Sequence, residues 1–375
     1  MKEVMADIER WRRAGQRVAV ARVVGLEGSG PRDPGATMAV NEESEVAGSV
    51  SGGCVEGAVV VEALDAIAAG EPRRCTFGYS DEDAFAVGLT CGGTIHLLVT
   101  PDLPPEYDLL RQAVAETRPV AWATVVGTPE EGPALGSSLL VSGDGTVDGT
   151  IGSPVLDDVV RRDALGALAS GLSTTRHYGR HGEARQRAVE VFVEVFAPPP
   201  HMVILGAVDF TAALVKVAKV LGYRVTVCDA RPVFATRARF PQADEVVAER
   251  PERLLAAIGA TLGPRDAVCV LTHDAKFDVP AIATALGTGV GYLGAMGSRR
   301  THADREARLR EVGVDPGDLE RVMAPIGLDL GARTPEETAV AICAEVIALR
   351  TGRPAPSLRD LNGPIHQPAV APAVG

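Results

Sequence analysis

Met202-Val203-Ile204-Leu205-Gly206-Ala207-Val208-Asp209-Phe210 is the stretch on which the fold turns. A short apolar run ends at a glycine, and a helical pattern begins directly after it. This reads as a buried strand, a tight turn and a helix start. The same grammar recurs downstream, with Arg224–Cys228, Glu245–Val247, Ala267–Leu271 and Val290–Leu293 as further short runs separated by helical stretches. Runs of this kind, apolar without alternation, belong to parallel strands covered on both faces. Residues 202–350 are therefore expected to form a Rossmann-like, doubly wound α/β domain.

The loops at the strand ends carry its candidate site residues. A dinucleotide fingerprint needs glycine where Val208 stands, so that backbone can approach a pyrophosphate. Gly206 and, 23 residues later (229 − 206), Asp229 occupy the turn and ribose positions, but Val208 weakens the case for NAD(P). His273 lies in Thr272-His273-Asp274-Ala275-Lys276-Phe277-Asp278, after the fourth strand. Gly294-Ala295-Met296-Gly297-Ser298-Arg299-Arg300-Thr301 follows the fifth. Glycine-loop amides at a helix N-terminus beside Arg299 and Arg300 make an anion cradle of Gly294, Gly297, Ser298 and the two arginines. The plainer alternative is a capped helix with solvated arginines. Thr334-Pro335-Glu336-Glu337 marks the start of a last helix.

Upstream, Ala197-Pro198-Pro199-Pro200 is a stiff linker. Before it the chain repeats itself. Val18–Gly25 matches Val120–Gly127 at an offset of 102, and Gly35–Val40 matches Gly136–Val141 at 101. At the latter offset Gly48 meets Gly149, and Leu64–Gly70 meets Leu165–Gly171. Residues 1–100 and 105–199 read as two copies of one smaller α/β unit, and 352–375 as a loosely ordered tail.

The first copy holds Gly48-Ser49-Val50-Ser51-Gly52-Gly53-Cys54-Val55-Glu56, a cysteine bracketed by glycines at the mouth of a helix. Gly52 and Gly53 let the backbone turn sharply and let something bulky approach the sulfur. A helix start favours thiolate, and Glu56 opposes it. The helix is expected to turn Val60, Leu64 and Ile67 to the core and to end at Gly70. A second loop, Gly88-Leu89-Thr90-Cys91-Gly92-Gly93, lies 37 residues on (91 − 54). In the second copy Val155 faces Cys54, and Ser153-Pro154 face the two glycines. A cysteine needed for folding should occur in both copies, so the imbalance favours a functional role for Cys54 and Cys91. A buried, inert cysteine is the alternative. There is no Cys-x-x-Cys, which removes the usual structural zinc spacing.

The chain has 375 residues, 46% of them hydrophobic, and a net charge of −12. That is a globular composition, and its sign argues against nucleic acid as the main partner. No apolar run nears the roughly 20 residues needed to span a bilayer, so no membrane partner is expected. The first residues read as an amphipathic helix rather than a signal peptide, and six cysteines in a chain this long suggest reduced thiols and a cytoplasmic location.

On Gly28-Ser29-Gly30-Pro31-Arg32 with Gly35-Ala36, Gly48–Glu56, Cys91-Gly92-Gly93, Gly294–Thr301 and Ile326–Glu337, the chain resembles the XdhC/CoxI family. These are accessory factors of xanthine dehydrogenase and carbon monoxide dehydrogenase type molybdenum enzymes. The resemblance implies a cytoplasmic, oligomeric chaperone rather than a turnover enzyme, with no catalytic residue assigned. It would bind molybdenum cofactor, support its sulfuration, with a cysteine desulfurase as a candidate partner, and deliver it to an apo-molybdoenzyme. Such a pterin dithiolene bearing a phosphate needs soft sulfur and an anion cradle. Cys54, with Cys91, answers the first need and is the candidate metal contact; the Gly294–Arg300 loop answers the second. The competing reading is an NAD(P)-dependent oxidoreductase with a redox-active Cys54. A third is a docking factor that binds no cofactor.

Overall fold

The computed structural model describes residues 1–28, 30, 32–78, 93–183 and 186–362. Gly88–Gly92 of the second cysteine loop, Cys91 among them, lie outside the described residues. The chain divides into two units, Met1–Pro198 and the part from Pro199 onward.

The first unit contains two five-stranded antiparallel sheets of one design. β1 (Val18–Glu27), β2 (Thr37–Asn41), β3 (Val46–Gly48), β4 (Arg73–Gly78) and β5 (Thr94–Pro101) run in the order β3-β2-β1-β5-β4. β6 (Val120–Gly127), β7 (Ser138–Ser142), β8 (Val147–Gly149), β9 (Thr174–Tyr178) and β10 (Val189–Phe196) repeat it as β8-β7-β6-β10-β9. The helices recur in step: α1 (Met5–Arg13) and α2 (Glu56–Ala69), then α3 (Tyr107–Ala115) and α4 (Pro154–Ser170). Even the irregularities match. The register of β1 on β5 slips between Val23 and Gly25, and that of β6 on β10 slips at the corresponding Val126.

Each sheet packs one long helix. α2 buries Val59, Ala63, Ala66 and Ile67, and α4 buries Val160, Ala164, Ala167 and Leu168. The buried stripe of α2 is thus rotated from the expected Val60, Leu64 and Ile67. Ala63 and Ala66 are small enough to lie close against the sheet, and Val60 and Leu64 become half-buried flanks.

The bulged valines meet: Val24 and Val126 join Leu98 and Phe192 in one buried cluster between the sheets. Beside it, Arg22 is buried, with Nη1 3.2 Å from Glu194 Oε2 and Nη2 donating to Thr124 Oγ1 at 2.7 Å. Its guanidinium stacks 3.9 Å from the centre of the Trp122 ring. The other oxygen of Glu194 lies 3.6 Å from the Met1 ammonium.

The second unit is a six-stranded, wholly parallel sheet: β11 (His201–Leu205), β12 (Arg224–Cys228), β13 (Glu245–Val247), β14 (Ala267–Val270), β15 (Tyr292–Ala295) and β16 (Val322–Met323). Their order is β13-β12-β11-β14-β15-β16. The helices are α5 (Asp209–Val220), α6 (Pro251–Ile258), α7 (Ala275–Leu286), α8 (Arg299–Glu311), α9 (Pro316–Leu319) and α10 (Pro335–Thr351). Ile204, Val225 and Cys269 face one apolar layer with residues of α5 and α10; Val203, Val268 and Val270 face another with α6 and α7. Burial on both faces is why these strands read as unbroken apolar runs. β16, two residues long, left no such run to read. The chain winds outward from β11 in both directions, so the switch point lies between the ends of β11 and β14. Among the described residues no helix is long and apolar enough to cross a membrane.

Candidate functional site

The Cys54 loop is built around one carboxylate. Glu56, the first residue of α2, turns back and accepts hydrogen bonds from Ser49 Oγ (2.6 Å), Ser51 Oγ (2.5 Å) and the amides of Val50 (3.3 Å), Ser51 (2.9 Å) and Gly53 (2.9 Å). Ser51 Oγ in turn accepts from the amides of Cys54 (3.0 Å) and Val55 (3.1 Å). Burial raises the Glu56 pKa, but the serine hydroxyls and the backbone amides outweigh it and hold the group at about 2. Glu56 is therefore the loop's clasp, with its charge already shared among donors.

The turn that results needs glycine. Gly52 and Gly53 have φ of +79° and +123°, and among the described residues nothing lies within 4 Å of where a side chain at either would begin. Backbone conformation, not crowding by any described residue, demands them. Cys54 follows them, a half-buried free thiol with Sγ 3.9 Å from the Ser51 carbonyl oxygen.

The second copy shows how the same turn looks without a thiol. Asp157, in the place of Glu56, accepts from Thr150 Oγ1 (2.7 Å) and the Ile151 amide (2.9 Å). There the helix begins earlier in equivalent positions, at Pro154 rather than at Asp157, with Ser153 as a hydrogen-bonded N-cap. The clasp is common to both copies. The irregular double-glycine turn presenting a thiol is found in one.

The other cysteines of the described residues are poorer candidates. Burial pushes the thiols of Cys228 and Cys343 up to about 12, raises Cys269 well above its ordinary value and takes Cys75 to about 11. Among the described residues no group of three or more His, Cys, Asp or Glu side chains is placed to hold a metal ion. Cys54 is a soft donor of the kind that suits a metal arriving with its own ligands.

At the switch point of the second unit the turn is closed by its own residues. Gly206 (φ +115°) lies so near Thr272 that a Cβ would come within 3.0 Å of the Thr272 amide nitrogen. Asp229 is buried and accepts from the Ala207 amide at 2.8 Å, from the Arg231 amide at 2.9 Å, and from Arg231 Nε (2.9 Å) and Nη2 (2.8 Å). Burial works to raise the Asp229 pKa, but Arg231 and these amides more than offset it and keep it low. The acid at the ribose position and the Ala207 amide of the turn are satisfied by each other. The nicotinamide reading loses Asp229 as a free acceptor, beyond the weakness at Val208.

The remaining candidates separate. Gly294 lies inside β15, where a Cβ would meet Ile326 Cδ1 at 2.6 Å, so packing requires glycine there and the residue is buried. The sequence placed this strand two residues too early. Gly297, Ser298, Arg299 and Arg300 do form the loop and first turn of α8, with Ser298 accepting from the Thr301 amide at 3.1 Å. His273 is exposed beside the N-cap Asp274 of α7. Sequence reasoning missed Arg305 and Thr272, which form a buried chain with Asp278 at the same edge. Arg305 Nη2 lies 3.0 Å from Asp278 Oδ2, and Asp278 Oδ1 pairs with the Thr272 hydroxyl. Asp278, four residues after Asp274, carried a weak signal; an arginine within the charged α8 carried none.

Comparison with known proteins bears on both units. The family model described as the XdhC Rossmann domain matches residues 202–346. The model described as the XdhC and CoxI family matches twice, at 11–78 and 113–179. A protein of Bacillus subtilis named as a probable xanthine dehydrogenase subunit is 27% identical over 89% of this chain and 94% of its own length. The molybdenum cofactor insertion chaperone PaoD of Escherichia coli is 26% identical over 90% of this chain and 85% of its own. A crystal structure described as that of a xanthine dehydrogenase from Bacillus halodurans superposes with a TM-score of 0.63, at 26% identity, over 94% of this chain and 97% of that one.

Proposed function

We propose, from the premise that the chain belongs to the XdhC and CoxI family, that it is a maturation factor that binds molybdenum cofactor and passes it to an apo-molybdoenzyme. The observation that carries this reading is the Cys54 turn: one copy of a duplicated design departs from a regular helix start and sets a half-buried free thiol behind two glycines that no other described residue crowds. Bound cofactor would supply the metal with its dithiolene sulfurs. Cys54 would supply a soft contact at the metal end, held in place by Ser51 and Glu56. The relatives' names support the direction of this assignment, since one is called a molybdenum cofactor insertion chaperone and another is named for xanthine dehydrogenase. A client of the xanthine dehydrogenase or carbon monoxide dehydrogenase type, assistance in sulfuration with a cysteine desulfurase as donor, and a homo-oligomeric cytoplasmic state complete the proposal.

The test is metal and pterin analysis of the full chain purified anaerobically from a cofactor-producing host, with Cys54→Ala alongside. Near-stoichiometric molybdenum and pterin in the wild type, lost in the variant, are expected. Wild-type protein that carries neither, even after incubation with free cofactor, would overturn the carrier role. A Cys54→Ala variant that loads normally would remove Cys54 from it.

A further inference from the structure

The two copies of the first unit differ in charge where their first helices begin. Val4 precedes α1 and Glu106 precedes α3, an offset of 102 (106 − 4), and each packs against an equivalent glycine. A Cβ on Gly48 would meet Val4 Cγ1 at 2.5 Å, and one on Gly149 would meet the carboxyl carbon of Glu106 at 3.4 Å. One copy thus seats an apolar side chain where the other seats an acid. Glu106 is 5% exposed. Among the described residues it accepts a hydrogen bond from the Ser138 hydroxyl and forms no ion pair. Arg22 acts on it only through space, because that guanidinium is held by Glu194 and Thr124. A carboxylate withdrawn from water is costly unless a cation or several donors meet it.

This acid lines a cavity of about 490 Å³, a volume typical of small-molecule sites. Ser138 and Gly149, which both touch the carboxyl group, line it too, so the charge sits at its wall. Asp148 adds a second acid, and Pro104, Pro105 and Leu109 give an apolar side. No described basic residue lines it. An acidic wall beside an apolar one suits a cation on a short hydrocarbon stem.

The first copy shows which cation this backbone receives. There the Met1 ammonium donates to Thr37 Oγ1 at 2.7 Å and to Gly35 O at 3.3 Å. Ser138 and Gly136 hold the equivalent positions, at an offset of 101, and both line the cavity. Leu103 stands at the Met1 position in mid-chain, so the second copy has no ammonium of its own to offer. The Ser138 hydroxyl donates to Glu106 and keeps lone pairs for an incoming N–H.

We propose that this cavity binds a primary alkylammonium, with Glu106 as its counter-ion and Gly136 and Ser138 as neighbouring acceptors. The assignment stands apart from the cofactor role. The size of the cavity favours a free amine as the bearer; the alternative bearer is a lysine side chain.

The experiment is ligand-observed NMR titration of the full chain with n-butylammonium at low ionic strength, with n-butanol as the uncharged control. Saturable binding of the ammonium is expected in the wild type and in Cys54→Ala, with the alcohol about tenfold weaker or worse. Glu106→Gln keeps the shape and the bond to Ser138 and is expected to weaken the ammonium by about tenfold or more, through loss of a charged hydrogen bond. Should that variant not fold, Leu109→Lys decides. Leu109 is 43% exposed and lies three residues after Glu106, on the same side of α3, so a lysine there reaches the acid with its own ammonium. That variant is expected to exclude added butylammonium. No saturable binding in the wild type, equal binding of the alcohol, or undiminished binding in folded Glu106→Gln or Leu109→Lys overturns the proposal. A parallel titration with Nα-acetyl-lysine amide assigns the bearer: weaker binding than butylammonium supports the free amine, and tighter binding replaces it with the lysine side chain.

Discussion

Replacing Glu56 by glutamine removes the charge around which the thiol loop is folded while keeping the side chain's shape. The carboxylate is held at about 2 against an ordinary 4.5. That difference has a ceiling of about 3.4 kcal/mol at 1.36 kcal/mol per unit. Glu56 is only part-buried, so solvent screening reduces the net effect to about 1–2 kcal/mol. Because the folded pKa is depressed, this contribution is complete above the unfolded value of 4.5 and disappears as pH falls through about 2. Hydrogen exchange reads it locally, at the amides of Ser51 and Gly53 that bond to Glu56. At neutral pH, Glu56→Gln should speed their exchange by about tenfold, as 1–2 kcal/mol implies. Relative to reference amides of β1, wild-type protection should decline between about pH 4.5 and 2, while the variant stays flat over that window. Equal protection in wild type and variant at neutral pH would refute the claim that the carboxylate organises the turn.

Three further outcomes are expected. Arg22→Met should cost about 3–5 kcal/mol in chemical denaturation by leaving Glu194 in a buried site without its guanidinium; adding Glu194→Met should recover much of the loss, and strict additivity would count against a coupled pair. NADH titrated into the wild-type protein should give no saturable fluorescence change, because Asp229 and the Ala207 amide are engaged with each other; a saturable response would reverse that conclusion. Alkylation at neutral pH, followed by peptide mass mapping, should label Cys54 before Cys75, Cys228, Cys269 and Cys343, whose thiols burial pushes up. Earlier labelling of any of these four would contradict the accessibility argument.

The second unit was legible because its strands are covered on both faces and its turns carry glycine, so Met202–Leu205 and Arg224–Cys228 stand out as unbroken runs. Positions at strand ends were less secure. Pairing with β14 sets the bounds of β15, which local pattern placed two residues early, and Gly294 moved from the loop into the sheet. In the first unit, the internal match exposed the paired design because equivalent bulges and turns keep equivalent residues. It also held an unread clue to the clasp: Ser49 and Glu56 are spaced as are Thr150 and Asp157. What stayed hidden were partnerships made only by tertiary structure. Asp229 reads the same whether it awaits a ribose or holds Arg231, and Arg305 is indistinguishable in sequence from its solvated neighbours on α8.

The arginine between the two sheets has a consequence for partner choice. Arg22 and Thr124 occupy equivalent strand positions, as do Thr100 and Glu194, so each sheet contributes only one half of the ion pair. Two first sheets joined across the same face would set guanidinium against guanidinium, and two second sheets would leave Glu194 without one, since Thr124 stands at the Arg22 position. Charge therefore makes the face selective for the unlike sheet, and copies of this chain that exchange halves must still match a first sheet to a second.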